Sequence, residues 1–233
     1  MENEVLIIPA KYDEERESLA ASWKKLGGQV QRLDKFWVKP ETGAAKVSIY
    51  GNDTFALVLA QVLGMELLSP KDEKIADFPY SFVKREIRIV QLKHKDQLSY
   101  PIFIKSIIPK QFKAGVYSSL DTLESEIVGL AGEVEIITSE VIAIEKEVRA
   151  FVLAGKVLDL AYYEGKGELA SAKDFLTKFL EEFSVDLPIT FVIDLGWNEE
   201  VGWFIIELNA TWGAGLNNCK AEKVIECIRC ASI

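Results

Sequence analysis

The chain opens with apolar runs separated by polar, charged stretches, the alternation expected of strands that exchange with helices. "VLIIP" is followed by a charged amphipathic stretch from Tyr12 to Leu26 that ends in Gly27-Gly28, and then by "VQRL". A second apolar run, "VSIYG", precedes the helix-like "DTFALVLAQVLG", with Asp53 placed to cap its start and Gly64 to end it. Strands linked through helical stretches predict a small α/β unit with parallel strands over residues 1–70.

From Lys71 to Tyr100 the pattern turns charged, with a strand expected at Glu86 to Leu92. This stretch reads as the entry into a second domain, residues 71–233. "PIFIKS" is a short buried strand with a lysine inside it, followed by "IIPKQFKAGVYSS" and a helix expected from Ser119 to Leu130. "EVRAFVLAGKVLDLAYY" has a hairpin's turn chemistry at Ala154-Gly155. A helix is expected from Ser171 to Phe183, and "PITFVIDLGW" and "VGWFIIELNA" form a second hairpin around Asn198 to Gly202. The fold class is therefore mixed α/β (α+β) in two parts.

At 233 residues with 49% hydrophobic content, the chain can bury a core without covalent staples. A net charge of −9 argues against sequence-independent nucleic-acid binding, which needs a basic face to displace counterions. No run reaches the roughly 20 apolar residues of a membrane span, and "MENEVLIIPAKYDEE" lacks the pattern of a secretion signal. A cytoplasmic protein without a membrane partner is expected, its oligomeric state left unassigned. Cys219, Cys227 and Cys230 include a C-x-x-C spacing, yet the only histidine, His94, is far off in sequence. The three cysteines read as small apolar residues of a terminal helix.

Asp194 closes "FVIDLG" and Glu207 closes "WFIIEL", so neighbouring strands could bring the two carboxylates together. Asn209 shares a strand face with Glu207 through the two-residue period. Two acids and an amide oxygen suit Mg²⁺, a hard cation that keeps positions for phosphate and water. The alternative is a turn-capping Asp194 and a solvent-facing Glu207. Lys105 puts an ammonium in an apolar strand, a costly placement unless it faces an anion, and Lys113 follows in a loop containing Gly115. Arg149 alternates with Glu147 along "EKEVRAF" and suits a bidentate contact with phosphate or carboxylate, or a structural ion pair. Cationic donors with metal-binding oxygens are the division of labour of nucleotide phosphoryl chemistry. Neither a G-x-x-x-x-G-K-[ST] loop nor a G-x-G-x-x-G fingerprint is present.

In the order Lys105, Lys113, "SEVIAIEKEVRAFVLAGKVLD", Asp194 and Glu207-x-Asn209, the chain from about Lys84 onward resembles the ATP-grasp superfamily. Within it, the likeness is to compact members suspected of joining amino acids or peptides. The resemblance implies an ATP-grasp fold behind a small N-terminal pre-grasp domain, with a lid lobe at 71–138 and a metal-binding lobe at 139–233. It implies Mg-ATP held between two lobes. Lys105 and Lys113 would contact the phosphates, and Glu140, Val141 and Ile142 would pass the adenine. Glu145 or Glu147 would reach the ribose, Arg149 would face the phosphates, and Asp194, Glu207 and Asn209 would ligate Mg²⁺. The implied activity is an ATP-dependent carboxylate-amine ligase using an acyl phosphate, with small-molecule or peptide carboxylates and amines as substrates. A nucleotide sensor without ligation and a small-molecule kinase are the alternatives. The loop "KQFKAGV" is poorer in glycine than many phosphate loops of the superfamily, and "ATWGAGLNNC" replaces its more familiar proline-glycine turn. "YYEGKGELASA" suits a lid or an ordinary connection.

Overall fold

The run Val5-Leu6-Ile7-Ile8 lies at the centre of the first sheet, each side chain no more than 2% exposed. A strand without polar alternation is one covered on both faces. In the computed structural model, which describes residues 2–233, this strand is β1 (Glu4–Pro9). The helix α1 (Glu14–Lys25) and the strands β2 (Gln29–Leu33) and β3 (Lys46–Ile49) follow. The sheet order is β2-β1-β3 and both pairings are parallel, as the strand–helix alternation predicts. Leu6 and Ile8 face Leu19, Ala20 and Trp23 of α1. Val5 and Ile7 face Phe55, Ala56 and Leu59 of α2 (Asp53–Leu63).

Both helices carry local start and stop signals. Asp13 accepts from the Arg16 amide at 3.0 Å, and Glu14, Glu15 and Glu17 fill the positive first turn of α1. The cap of α2 is Asn52, not Asp53, because Asn52 is extended and its side chain accepts from the Phe55 amide at 3.0 Å. Asp53 is the first helical residue. Gly64 ends α2 in the left-handed conformation, φ 72°, where a glycine is favoured.

The chain divides into two compact units: Met1–Pro70 with Lys146–Gly196 and Ile206–Ile233, and Lys71–Glu145 with Trp197–Ile205. The second unit holds α3 (Tyr80–Val83), β4 (Ile87–Gln91), β5 (Ile102–Ser106), β6 (Gly115–Tyr117), α4 (Leu120–Glu126) and β7 (Glu135–Ser139). Its sheet runs β4-β7-β5-β6, antiparallel throughout. Ile104, Tyr117, Leu123 and Ile136 form its core. The helix expected to reach Leu130 ends at Glu126, since Ile127 caps it and Gly129 turns at φ 83°.

A third sheet has the order β11-β10-β8-β9, from β8 (Lys146–Leu153), β9 (Lys156–Glu164), β10 (Thr190–Asn198) and β11 (Gly202–Asn209). β8 and β9 pair antiparallel about Ala154-Gly155, the expected hairpin. The helices α5 (Ala170–Phe183) and α6 (Ala221–Arg229) complete the first unit. Val224, Ile225, Cys227 and Ile228 of α6 pack with Leu6, Trp23, Phe151 and Val192, so one core joins the N-terminal strands to the third sheet. Burial raises the Cys219 and Cys227 thiols to about 12, as befits packing residues. Among the described residues no helix is long and apolar enough to cross a membrane.

Candidate functional site

Within the first unit, β8, β10 and β11 are consecutive neighbours, and each contributes polar side chains to one cluster. Arg149 from β8 grips Asp194 from β10 in a two-pronged ion pair, Nε to Oδ1 at 2.8 Å and Nη2 to Oδ2 at 2.7 Å. Asp194 is 2% exposed and the Arg149 side chain 11%. Asn209 from β11 bridges the two acids, donating from Nδ2 to Asp194 Oδ2 at 2.9 Å and to Glu207 Oε1 at 3.0 Å. The remaining guanidinium prong of Arg149 donates to the Gly215 carbonyl at 2.9 Å, and its Cζ lies 5.8 Å from the Tyr163 ring centre.

Electrostatics mark the cluster as crowded with negative charge. Burial raises the Glu147 pKa above its ordinary value, and the charges of Glu164, Asp194 and Glu207 raise it further against the opposing pull of Arg149. Burial works against the charge on Arg149, but its hydrogen bonds to Asp194 and the charges of Asp194 and Glu207 prevail and raise its pKa. The expected alternation of Glu147 and Arg149 along one strand is thus realised on β8. Asp194 sits inside β10 rather than capping a turn, and Glu207 is half-buried rather than solvent-facing. The ion pair weighed for Arg149 exists, with Asp194 as its partner.

The other expected site residues lie in the second unit. Lys105 on β5 meets an anion of the protein itself, Asp72 Oδ2, at 2.8 Å. Lys113 is exposed in the loop between β5 and β6, where its carbonyl accepts from the Tyr117 hydroxyl. Glu140, Val141, Ile142 and Glu145 form the connection from β7 to β8. Its backbone is tied down at both ends: Glu140 N donates to Glu86 O at 3.1 Å and Glu145 N to Trp197 O at 2.9 Å. The Glu140 carboxylate accepts from the Glu86 amide at 2.7 Å, the Glu145 carboxylate from the Glu199 amide at 3.3 Å, and Val141 is 51% exposed.

A family model of the ATP-grasp domain, the second family of its clade, matches residues 82–227. The chain belongs to this ATP-grasp family. Solved structures share its fold at low identity. A RimK domain protein ATP-grasp from Sphaerobacter thermophilus is 12% identical, with a TM-score of 0.61 over 97% of this chain and 99% of that one. A D-alanine–D-alanine ligase from Bacillus anthracis, complexed with ATP, is 11% identical, with a TM-score of 0.58 over 98% and 96%. An N5-carboxyaminoimidazole synthetase from Staphylococcus aureus, complexed with ADP, is 12% identical, with a TM-score of 0.57 over 100% and 79%. No curated protein sequence matches.

In this ATP-grasp chain, the oxygen set of two acids and an amide is the chemistry that suits Mg²⁺. Asp194 Oδ2 and Glu207 Oε1 both lie within 3.0 Å of one amide nitrogen, so they converge on one point. No group of three His, Cys, Asp or Glu side chains fit to hold a metal occurs among the described residues, so the third protein donor has to be the Asn209 oxygen. Sequence reasoning missed Asp72, Glu15 and Tyr50. Asp72 lies 33 positions before its Lys105 partner, and Glu15 about 200 before the backbone groups it holds. No local pattern encodes pairs so far apart.

Proposed function

We propose that this ATP-grasp protein is an ATP-dependent ligase that joins a carboxylate to an amine through an acyl phosphate. The observation that carries the reading is the Arg149–Asp194–Asn209–Glu207 network, which sets a buried cation beside two convergent carboxylates. The family and the ligases among its fold relatives support it.

Asp194, Glu207 and Asn209 would hold Mg²⁺, which when bound screens the charge of the β- and γ-phosphates. Arg149 presents a fixed guanidinium to the transferring group, already oriented by Asp194 and the Gly215 carbonyl. Lys105 and Lys113 supply further positive charge to the nucleotide phosphates, Lys105 by exchanging Asp72 for phosphate. The 140–142 segment would offer backbone groups to the adenine, and Glu145 or Glu147 would meet the ribose. The substrate carboxylate attacks the γ-phosphorus and ADP leaves. The amine then attacks the acyl carbon, loses a proton, and phosphate leaves. No protein nucleophile is needed, since positioning and electrostatics carry the chemistry. Water must be kept from the acyl phosphate, and closure of the Lys113 loop is the gate.

The test is ADP release from Mg-ATP with pooled amino acids and peptides, with mass spectrometry of the condensation product. Glu207→Gln and Lys105→Ala should abolish turnover, and variants as fast as the parent would overturn the site assignment. ADP released with a phosphorylated acid and no amide would mark a kinase instead.

A further inference from the structure

The turn after β11 holds a carboxylate. Glu15, in the first turn of α1, accepts from two consecutive backbone amides, Leu216 N to Oε2 at 2.8 Å and Asn217 N to Oε1 at 2.9 Å. Successive N–H groups pointing at one anion form a fixed concavity that binds carboxylates and phosphates. We propose that the Gly215–Asn217 turn is a subsite for the carboxylate of the acid substrate, and that Glu15 occupies it in cis until substrate displaces it.

Three features point to a ligand subsite rather than a structural tie alone. First, the turn is coupled to the proposed reaction centre, since Gly215 O takes one prong of the same guanidinium that grips Asp194. Second, residue 215 is a glycine at the one place where a side chain would intrude on the anion: a Cβ there would lie 2.9 Å from Glu15 Oε2. Third, the surroundings carry spare positive charge. Arg16, beside Glu15, has a buried Nε with no hydrogen-bond partner, and the Asp13 carboxylate is 3.6 Å from it. Tyr50 donates to Ala214 O at 2.8 Å, one residue before the turn. Burial raises its phenol pKa, as do Glu15 and Asp13, while Arg149 and Arg16 oppose them, so these charges surround one ring.

Self-occupancy lowers apparent affinity by the fraction of time the subsite is open, so an acid has to compete with Glu15. The identity of the ligand as the substrate acid rests on the ligase reading, whereas the anion subsite does not. The experiment therefore uses acetate and no nucleotide. Amide resonances of Leu216 and Asn217 are followed by ¹H–¹⁵N NMR while acetate is titrated into the parent, Glu15→Ala and Glu15→Gln. In Glu15→Ala both amide protons should move upfield, then return saturably with acetate, at an affinity about tenfold or more above the parent's. Glu15→Gln keeps a neutral acceptor in place and should fall between the two. A folded Glu15→Ala whose two amides ignore acetate would overturn the subsite. Should that variant fail to fold, Glu15→Gln decides by the same readout, and no gain over the parent sinks the proposal. Acetate binding in a protein that never turns over ATP would leave the subsite standing and remove the ligase reading.

Discussion

Substituting Asp194→Asn isolates the charge of the central acid while keeping its shape, so no cavity term enters. Asp194 Oδ1 and Oδ2 take two Arg149 donors at 2.8 and 2.7 Å, and Oδ2 also takes Asn209 Nδ2 at 2.9 Å. An asparagine can keep one of these acceptors, but its own amide must then point at another donor. Losing one partner of a buried ion pair costs about 3–5 kcal/mol, chiefly because the other charge is left buried and uncompensated. The Arg149 side chain is 11% exposed and keeps its bond to Gly215 O, which places the expected loss near about 3 kcal/mol. Urea denaturation followed by far-ultraviolet circular dichroism, without Mg²⁺, measures it against the parent. The double variant Arg149→Met/Asp194→Asn should recover part of the loss, since the stranded charge is gone. A single variant losing less than about 1 kcal/mol would refute the reasoning, because exposed pairs cost that little and the cluster would then be solvated.

Three further outcomes follow from named contacts. Glu147 has a raised pKa in the folded protein, so its ionised form opposes folding at neutral pH and this penalty disappears as pH falls below its ordinary value of 4.5. Glu147→Gln should accordingly be more stable than the parent at pH 7, with the two denaturation midpoints converging in acid; a constant gap would contradict the electrostatic cause. Asp72→Asn should free Lys105 from its 2.8 Å ion pair and tighten ATP binding in calorimetry by roughly threefold to tenfold, the worth of about 1 kcal/mol for a part-exposed pair. Weaker binding would mean that Asp72 positions the lysine rather than competes for it. Cys219 and Cys227, with thiols pushed to about 12, should stay unmodified by a thiolate-selective disulfide reagent at pH 8 until urea unfolds the chain, while the less buried Cys230 reacts first.

Elements with strong local signals were legible from the chain alone. The run Val5-Leu6-Ile7-Ile8 and the Ala154-Gly155 turn state their own conformations, and both appear where the pattern puts them. Boundaries were less legible. Asn52 and Asp53 are equally able caps in sequence, and only the extended backbone of Asn52 separates them. The grouping of Met1–Pro70 with Lys146–Gly196 and Ile206–Ile233 has no local signal either. It follows from α6, whose Val224, Ile225 and Ile228 complete the core begun by Leu6 and Ile8. A helix states which of its faces is apolar, but not which distant strand will cover it.

The same distinction separates the parts of the site. Glu207 and Asn209 are two residues apart in one strand, so period alone aligns them, and the structure joins them by a hydrogen bond at 3.0 Å. Arg149 and Asp194 are 45 residues apart, and the sheet order β11-β10-β8 is what makes them partners. That partnership changes what the cluster can do. An isolated pair of acids would repel, and Glu147 already shows the strain of their charge. Arg149 supplies a buried cation that lets Asp194 stay ionised among them, and the same guanidinium fixes the turn at Gly215 through a 2.9 Å bond. Removing Arg149 would therefore act twice, by freeing negative charge at the cluster and by loosening the turn that holds the Glu15 carboxylate. Arg149→Lys retains the charge but not the three-pronged geometry. A lysine variant that kept the Leu216 and Asn217 amide shifts of the parent would show that charge alone organises the turn, and that the directed bonds of the guanidinium are dispensable.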